Sequence, residues 1–400
     1  MSTRISYLFT GLGHTGGSLV LYKFMDMLCE KGYEVHAITP SERIQWKAGF
    51  SNELLQGFQQ GRRPGTGRAA RRNSSSVWGR FQKKILKKQL GKTLANVKEQ
   101  TDGLLKNWIP SEITVATFCT TCLVNYSLMD KTIPMYHMQH YEEFFLPDEK
   151  SQLLSRMTYF LPEILIANST WLHGQIQNRV GRTPHLLTPG IDDRLFYPRV
   201  DIDQKYENMS KVSVISYYSP VKFKAWDDAV EAMSIVFQKA PLGKLEWIVY
   251  GGQPPSSTGL PIRFVGKVFG ESLARLYSDS HICFMNSWFE SFPLPPLEAM
   301  ACGTAVVTTR YGTEDYAEHE INALVVPPRK PEELADRILE LAGNPEKARR
   351  LARAGVETVP KHSWSRAGDR LAHIMDRAPY ETTVGKFSDL KDLGEGRFPD

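Results

Sequence analysis

Short runs of β-branched and aromatic residues alternate with longer stretches of helical period along the chain, and the series restarts near residue 211. In the first half the strand candidates are Ile5–Thr10, Glu34–Thr39, Thr114–Cys119, Ile133–Gln139, Ile164–Asn168 and His185–Thr188. In the second half they are Val212–Tyr217, Leu245–Tyr250, Ile262–Val265, Ile282–Asn286, Ala305–Thr309 and Leu324–Val326. Most are near-continuous apolar runs, as expected of strands covered on both faces. Leu19–Lys31, Trp226–Lys239 and Pro331–Ala342 carry the helical period between them. Such alternation implies right-handed βαβ units and parallel sheets. The polar segment Asp192–Ser210 carries Pro198 and no clear period, which marks a linker. The pattern predicts an α/β protein with two Rossmann-like doubly wound domains facing across a cleft. Its domains are 1–195, a linker 196–210, 211–375, and a tail 376–400 packing back on the first domain. Ligands of such sheets bind outside the carboxyl ends of the strands.

Composition narrows the setting. Of 400 residues, 42% are hydrophobic and 23% charged, ordinary for a globular protein. There is no apolar run of the length that a membrane span requires. Gly11, Gly13, Gly16 and Gly17 interrupt the apolar N-terminus, which reads as a first strand and not as a signal peptide. The five cysteines, Cys29, Cys119, Cys122, Cys283 and Cys302, are sparse and odd in number, which suggests a reducing compartment. Cys119 and Cys122 lack the second ligand pair of a zinc site and read as small buried residues after a strand. The net charge of +5 is local: residues 61–98 hold 12 Lys and Arg and no acid, which leaves 37 basic against 44 acidic residues elsewhere. The natural partner of such a tract is an anionic surface.

Two strings carry chemistry. Gly11-Leu-Gly-His-Thr-Gly16-Gly17 follows the first strand and precedes a helix, where glycines let backbone N–H groups approach a phosphate. A dinucleotide reading of G-x-G-x-x-G wants an acid at the end of the second strand, but Ile38-Thr39-Pro40 stands there. Further on, Glu290-Ser-Phe-Pro-Leu-Pro-Pro-Leu-Glu298-Ala-Met-Ala-Cys-Gly303 follows the strand Ile282–Asn286. Glu298 is expected to open a helix, as a ribose-binding carboxylate or as a plain helix cap. Glu290 lies in the loop above the strand, within reach of sugar hydroxyls, and the N–H groups of Phe292 and Leu294 face the same side.

The two glutamates eight apart, followed by EAMACGTAVVTT, resemble the hallmark of retaining glycosyltransferase family 4, the glycogen-synthase-like branch of the GT-B enzymes. The likeness continues through Tyr311-Gly312-Thr313 and Ala323–Pro328 to Trp364, and upstream in Leu187–Asp192 and Trp247–Gly252. The resemblance implies that Glu298 binds the donor ribose and Glu290 the donor sugar. It places Gly16 and Gly17 near the diphosphate and Gly251 in the turn facing the base. It puts Lys224 at the position of the family's diphosphate lysine. The family's arginine position falls on Tyr218, a departure that Lys222 is expected to offset. The family's Glu-Gly-Phe-Gly reads Glu-Ser-Phe-Pro here, so Pro293 removes one backbone donor.

Met135-Tyr-His-Met-Gln-His140-Tyr-Glu-Glu-Phe-Phe closes the fourth strand. A histidine here resembles the family's N-domain histidine beside the donor sugar, with His140 favoured over His137. Gln139–Phe145 is also similar to a segment of polysaccharide rhamnosyltransferases. In the basic tract, Trp78, Phe81, Ile85, Leu86, Leu90 and Leu94 recur at helical spacing among lysines. That suits a basic amphipathic helix on an anionic membrane surface or, equally, a packed helix with solvated lysines. Nucleic acid is not expected, since no binding module accompanies the charge.

The sequence therefore predicts a metal-independent retaining glycosyltransferase, with no cofactor, acting in the cytoplasm or on the inner face of the membrane. Its partners are a nucleoside diphosphate sugar and a glycan or lipid-linked acceptor, in envelope polysaccharide synthesis. The rival is a non-catalytic nucleotide-sugar-binding partner in a glycan assembly complex.

Overall fold

The computed structural model describes residues 2–13, 15–59, 91–207, 209–240, 243–252 and 258–381. The chain divides into two compact units. One comprises the residues up to Asn168, His173–Leu187, and those from Gly368 on; the other comprises Ser169–Leu172 and Thr188–Ala367.

The first unit is built on a seven-stranded sheet. Its strands are β1 (Arg4–Leu8), β2 (Glu34–Ile38), β3 (Arg43–Gln45), β4 (Ile113–Ala116), β5 (Ile133–Met138), β6 (Ile164–Ala167) and β7 (His185–Leu186). Their spatial order is β3-β2-β1-β4-β5-β6-β7. Every pairing is parallel except β2 with β3. The antiparallel edge strand β3 and the helix Phe50–Gln59 are additions to the pattern read from the sequence.

The second unit has six strands: β8 (Val212–Tyr218), β9 (Leu245–Gly251), β10 (Ile262–Gly266), β11 (Ile282–Met285), β12 (Ala305–Thr309) and β13 (Leu324–Val326). All are parallel, in the order β10-β9-β8-β11-β12-β13. Alternate residues serve opposite faces. Val214, Trp247, Phe284 and Val307 build one apolar layer. Ile215, Ile248, Cys283 and Val306 build the other. Helices cover both layers, which explains why these strands read as unbroken apolar runs.

Both sheets start in the middle, wind outward one way, then return and wind the other way. The reversal falls between β1 and β4 in one unit and between β8 and β11 in the other. In doubly wound sheets that reversal opens a crevice at the carboxyl ends.

The expected linker 196–210 belongs to the second unit. It contains a short helix, Ile202–Glu207, whose Tyr206 is buried and donates to the carbonyl of His281 at 2.7 Å. Its polar look comes largely from Lys205, whose Nζ donates to the carbonyls of Ser278 and Ser280 at 3.1 Å each. Those carbonyls lie at the end of the helix Gly270–Ser278, where free carbonyls need donors. From Gly368 the chain groups with the first unit, where Tyr33 donates to Asp376 and His185 pairs with Glu381 at 2.9 Å. Most of the basic tract 61–98 and the end of the tail, 382–400, lie outside the described residues.

Candidate functional site

In the second unit the loops on either side of the reversal carry most of the expected site. The β8 loop folds into a single 3-10 turn, Lys222–Lys224, ending at Ala225, whose φ of 54° is left-handed. The β11 loop runs to the helix Leu294–Ala301. Backbone and side-chain bonds lash the two together. The Trp288 N–H donates to the carbonyl of Phe223 at 2.8 Å, and Asn286 Nδ2 donates to that of Ala225 at 2.7 Å. The rings of Phe223 and Phe289 stack at 4.8 Å. From the β12 side, Thr309 donates to the Ser287 carbonyl at 2.6 Å and Tyr316 to that of Pro293 at 2.6 Å.

This frame brings Lys224 and Glu290 into an ion pair, both side chains largely withdrawn from water. Glu290 is also fixed through its backbone, since its N–H donates to the Tyr311 carbonyl at 3.1 Å. The turn that follows β12 presses on it. A Cβ at Gly312, whose φ is 99°, would stand 2.6 Å from the Glu290 carbonyl oxygen. Only glycine meets both demands. Lys222 is exposed on the same turn.

Glu298 does not open its helix. The helix begins at Leu294, four residues earlier, with Pro295 and Pro296 in its first turn. Two consecutive prolines fit there because first-turn N–H groups have no helical acceptor to lose. Glu298 is therefore neither cap nor dipole partner. Its partly buried carboxyl is pushed up to about 7 by desolvation. Leu294 contributes the first N–H of the helix, whereas the Phe292 ring is buried against Tyr316 at 5.2 Å. Gly303, with φ of 71°, terminates the helix, and a Cβ there would meet Ile202 Cγ1 at 2.9 Å. Its place in the motif is thus structural.

Tyr218, standing where a cation was expected, is a core residue. Its ring meets Trp226 edge-on at 4.8 Å and Phe264 at 6.0 Å. Its carbonyl receives the Gly252 N–H at 3.2 Å and lies 2.1 Å from where a Cβ on Gly251 would sit. Gly251, with φ of 129°, is therefore required by the close approach of two strand ends.

In the first unit the glycine string ends at the helix Gly16–Glu30, capped by Thr15, whose Oγ1 accepts from the Ser18 N–H at 3.3 Å. A Cβ at Gly11, Gly13 or Gly16 would meet nothing within 4 Å, and one at Gly17 would only touch Gln139 at 3.5 Å. Internal packing does not require these glycines. His137 and His140 part company at the end of β5. His137 is wholly buried against Phe24, ring centroids 5.1 Å apart, and desolvation lowers it to about 3. His140 lies beyond the strand, partly buried, edge-on to Phe145 at 5.2 Å.

Beneath that loop Glu142 is buried, accepting from the Cys119 N–H at 2.8 Å and the Tyr136 hydroxyl at 2.7 Å. Burial pushes it up to about 7 and the neighbouring buried Glu163 to about 8. Cys119 and Cys122 are buried in the helix Cys119–Ser127, and desolvation raises both thiols. Among the described residues no group of histidine, cysteine and carboxylate side chains has the arrangement of a metal site.

Two tandem doubly wound sheets are the architecture of the GT-B class of α/β protein, and this chain has that fold. Residues 211–344 match the family Glycosyl transferases group 1, which bears out the resemblance carried by the Glu290–Gly303 string. The chain is 28% identical over 213 residues to a D-inositol 3-phosphate glycosyltransferase of Saccharomonospora viridis, an alignment covering 48% of this chain and 49% of that protein. It thus spans about half the length of that relative. In fold it is similar to sucrose-phosphate synthase from Thermosynechococcus elongatus, with a TM-score of 0.70, 17% identity, and coverage of 94% and 99% of the two chains. It is likewise similar to Anabaena HepE in complex with UDP and glucose, with a TM-score of 0.67, 16% identity, and coverage of 94% and 99%.

Proposed function

We propose that the protein is a retaining glycosyltransferase, moving a hexosyl or deoxyhexosyl unit from a nucleoside diphosphate sugar to a hydroxyl of a glycan or lipid-linked acceptor. The observation that carries this reading is the joined pair Lys224–Glu290 at the reversal of the second sheet, with Glu298 on the helix leading away from the same loop. In this reading Glu298 serves the pentose, Glu290 the sugar and Lys224 the phosphates, at the edge where such sheets bind ligands.

In the reaction the bond from the anomeric carbon to the diphosphate oxygen breaks, and a bond to the acceptor oxygen forms on the same face. The departing phosphate takes the acceptor's proton. Lys224 and Lys222 stabilise the charge that develops on the diphosphate, a principal source of catalysis in such transfers. Gly16 and Gly17 at the start of their helix supply amides and a partial positive charge for the same group, so the chemistry needs no metal. His140 and Glu290 hold the sugar, Gly251 shapes the turn beside the base, and the Phe292–Leu294 backbone completes the donor side. The resemblance of Gln139–Phe145 to polysaccharide rhamnosyltransferases supports a role in envelope polysaccharide synthesis. The basic tract 61–98 suits work at the cytoplasmic face of an anionic membrane. The described residues contain no helix long and apolar enough to cross one.

The test is a panel of nucleotide sugars screened by thermal shift and by release of nucleoside diphosphate. One donor should stabilise the wild type, and Glu298→Ala should cut its affinity about 10- to 100-fold, the worth of hydrogen bonds to a charged group. Unchanged affinity in that variant refutes the ribose assignment. Stabilisation without diphosphate release, with acceptor present, would make the protein a binding partner and not an enzyme.

A further inference from the structure

One side chain joins the glycine string of the first unit to the two elements absent from the sequence pattern, β3 and the helix Phe50–Gln59. Tyr22 lies in the second turn of the helix Gly16–Glu30 and is wholly buried. Helical side chains lean toward the N-terminus of their helix. Its hydroxyl reaches back past the helix start and donates to the carbonyl of Gly13 at 3.0 Å. A carbonyl only accepts, so the direction of this bond is fixed. The Tyr22 ring meets two others. That of Phe9, directly after β1, lies 5.5 Å away, and that of Trp46, directly after β3, 5.3 Å away.

Trp46 is itself fixed. Its indole N–H donates to Asp26 Oδ1 at 2.8 Å. Asp26 stands four residues after Tyr22, on the same face of the helix, and is wholly buried. It also accepts from the Ser51 N–H at 3.3 Å and from the Ser51 hydroxyl. Phe50 meets the Trp46 ring edge-on at 5.0 Å. A buried carboxyl needs hydrogen-bond donors, and these three come from the segment 43–59. That segment is tied to the helix through Asp26 and leans on Tyr22, and Tyr22 ends on the glycine string.

We propose that Tyr22, braced by Trp46, is a positioning residue that holds the glycine string in the form that receives the donor's diphosphate. This rests on the reading of Gly16 and Gly17 given above. A Cβ at Gly11, Gly13 or Gly16 would meet nothing within 4 Å, so neighbouring atoms do not wedge this backbone in place. Glycine loses more conformational freedom on ordering than any other residue. A loop ordered before its ligand arrives binds more tightly than one that the ligand must order. The Tyr22 hydroxyl supplies that order at Gly13. It also draws the Gly13 carbonyl down toward the buried face of the helix. A carbonyl oxygen turned toward a diphosphate would repel it, whereas backbone amides attract it.

The experiment measures, by calorimetry, binding of UDP, GDP and dTDP and of the matching monophosphates UMP, GMP and dTMP. The proteins are the wild type, Tyr22→Phe, Trp46→Phe and Gly16→Asp. The quantity read is the ratio of diphosphate to monophosphate affinity for the base that binds. Tyr22→Phe keeps the ring and loses one hydrogen bond, and should lower that ratio about three- to tenfold. Trp46→Phe keeps the Tyr22 hydroxyl but loosens its brace, and should lower the ratio by less. An unchanged ratio in Tyr22→Phe, whatever its melting temperature, would mean that the hydroxyl only stabilises the fold, and overturns the proposal. An unchanged ratio in Trp46→Phe alone overturns the brace. Gly16→Asp separates the proposal from the reading beneath it. Its Cβ meets open space and an acid suits the first turn of a helix, so the variant should fold. Its carboxylate would repel a diphosphate and should lower the ratio about tenfold or more. If Gly16→Asp binds the diphosphate as the wild type does, the glycine string does not meet the phosphates. The reading of Gly16 and Gly17 then falls, whatever Tyr22 does.

Discussion

At the scale of single residues, the site depends on a few positions whose chemistry is inseparable from their backbone. Gly312 is one. Its left-handed φ and its close approach to the Glu290 carbonyl leave no room for a Cβ. Gly312→Ala should therefore lower stability by about 1–3 kcal/mol, the cost of a strained backbone position. It should also displace Glu290, so that kcat/KM for transfer falls more than the stability loss explains. Urea unfolding followed by kinetics at matched folded fraction would separate the two effects. Lys205 is another. Lys205→Ala removes two hydrogen bonds from carbonyls at the end of the helix Gly270–Ser278, at an expected cost of roughly 1–3 kcal/mol for groups left unsatisfied. A variant melting with the wild type would show that water replaces the ammonium.

At the scale of elements, much of the architecture was legible and the reason is plain. Strands buried on both faces are mostly apolar, with an occasional hydrogen-bonded serine or threonine such as Ser6 or Ser216, so β1, β8, β11 and β12 announce themselves as apolar runs. Phe284, in the middle of β11, packs near Trp247, ring centroids 6.1 Å apart, and Phe284→Ala should cost about 3–5 kcal/mol. A loss well under 2 kcal/mol, by denaturant titration, would mean that the layer collapses to fill the gap.

The edge strand β3 was not legible. It is three residues long, and only its middle side chain, Ile44, is partly withdrawn from solvent, so it has almost no apolar pattern. Read from the sequence, the helix opens at Glu298, four residues late, because a carboxylate is taken as the mark of a first turn, whereas here Pro295 and Pro296 occupy that turn. The residues 196–210 looked like a linker because Lys205 and its neighbours are polar. The hydrogen bonds that make a buried lysine tolerable depend on a partner more than 70 positions away, which no local pattern encodes.

At the scale of the whole molecule, the buried carboxyls set a pH dependence of stability. Burial raises Glu142 and Glu298 to about 7 and Glu163 to about 8. An unfolded glutamate titrates near its ordinary value, so across the interval from there to the raised value the folded state holds more protons. Stability then falls as pH rises through that interval. His137 works the other way below its ordinary value, because the folded state keeps it neutral, but it is silent above neutrality. The melting temperature should therefore decline from about pH 6.5 to about pH 8, and Glu163→Gln should flatten the decline. A melting temperature that climbs over that range would contradict the direction of these shifts.

The lashing of Lys224 to Glu290 has a consequence for how an anion is captured. A cation already neutralised by its neighbour exerts little pull at a distance. A diphosphate would sense that ammonium only on arrival, when it displaces the carboxylate and frees it to turn toward hydroxyls. Capture of this kind works by exchange of counter-ions at contact, and its rate should respond weakly to salt, with exposed Lys222 providing what long-range attraction the loop exerts.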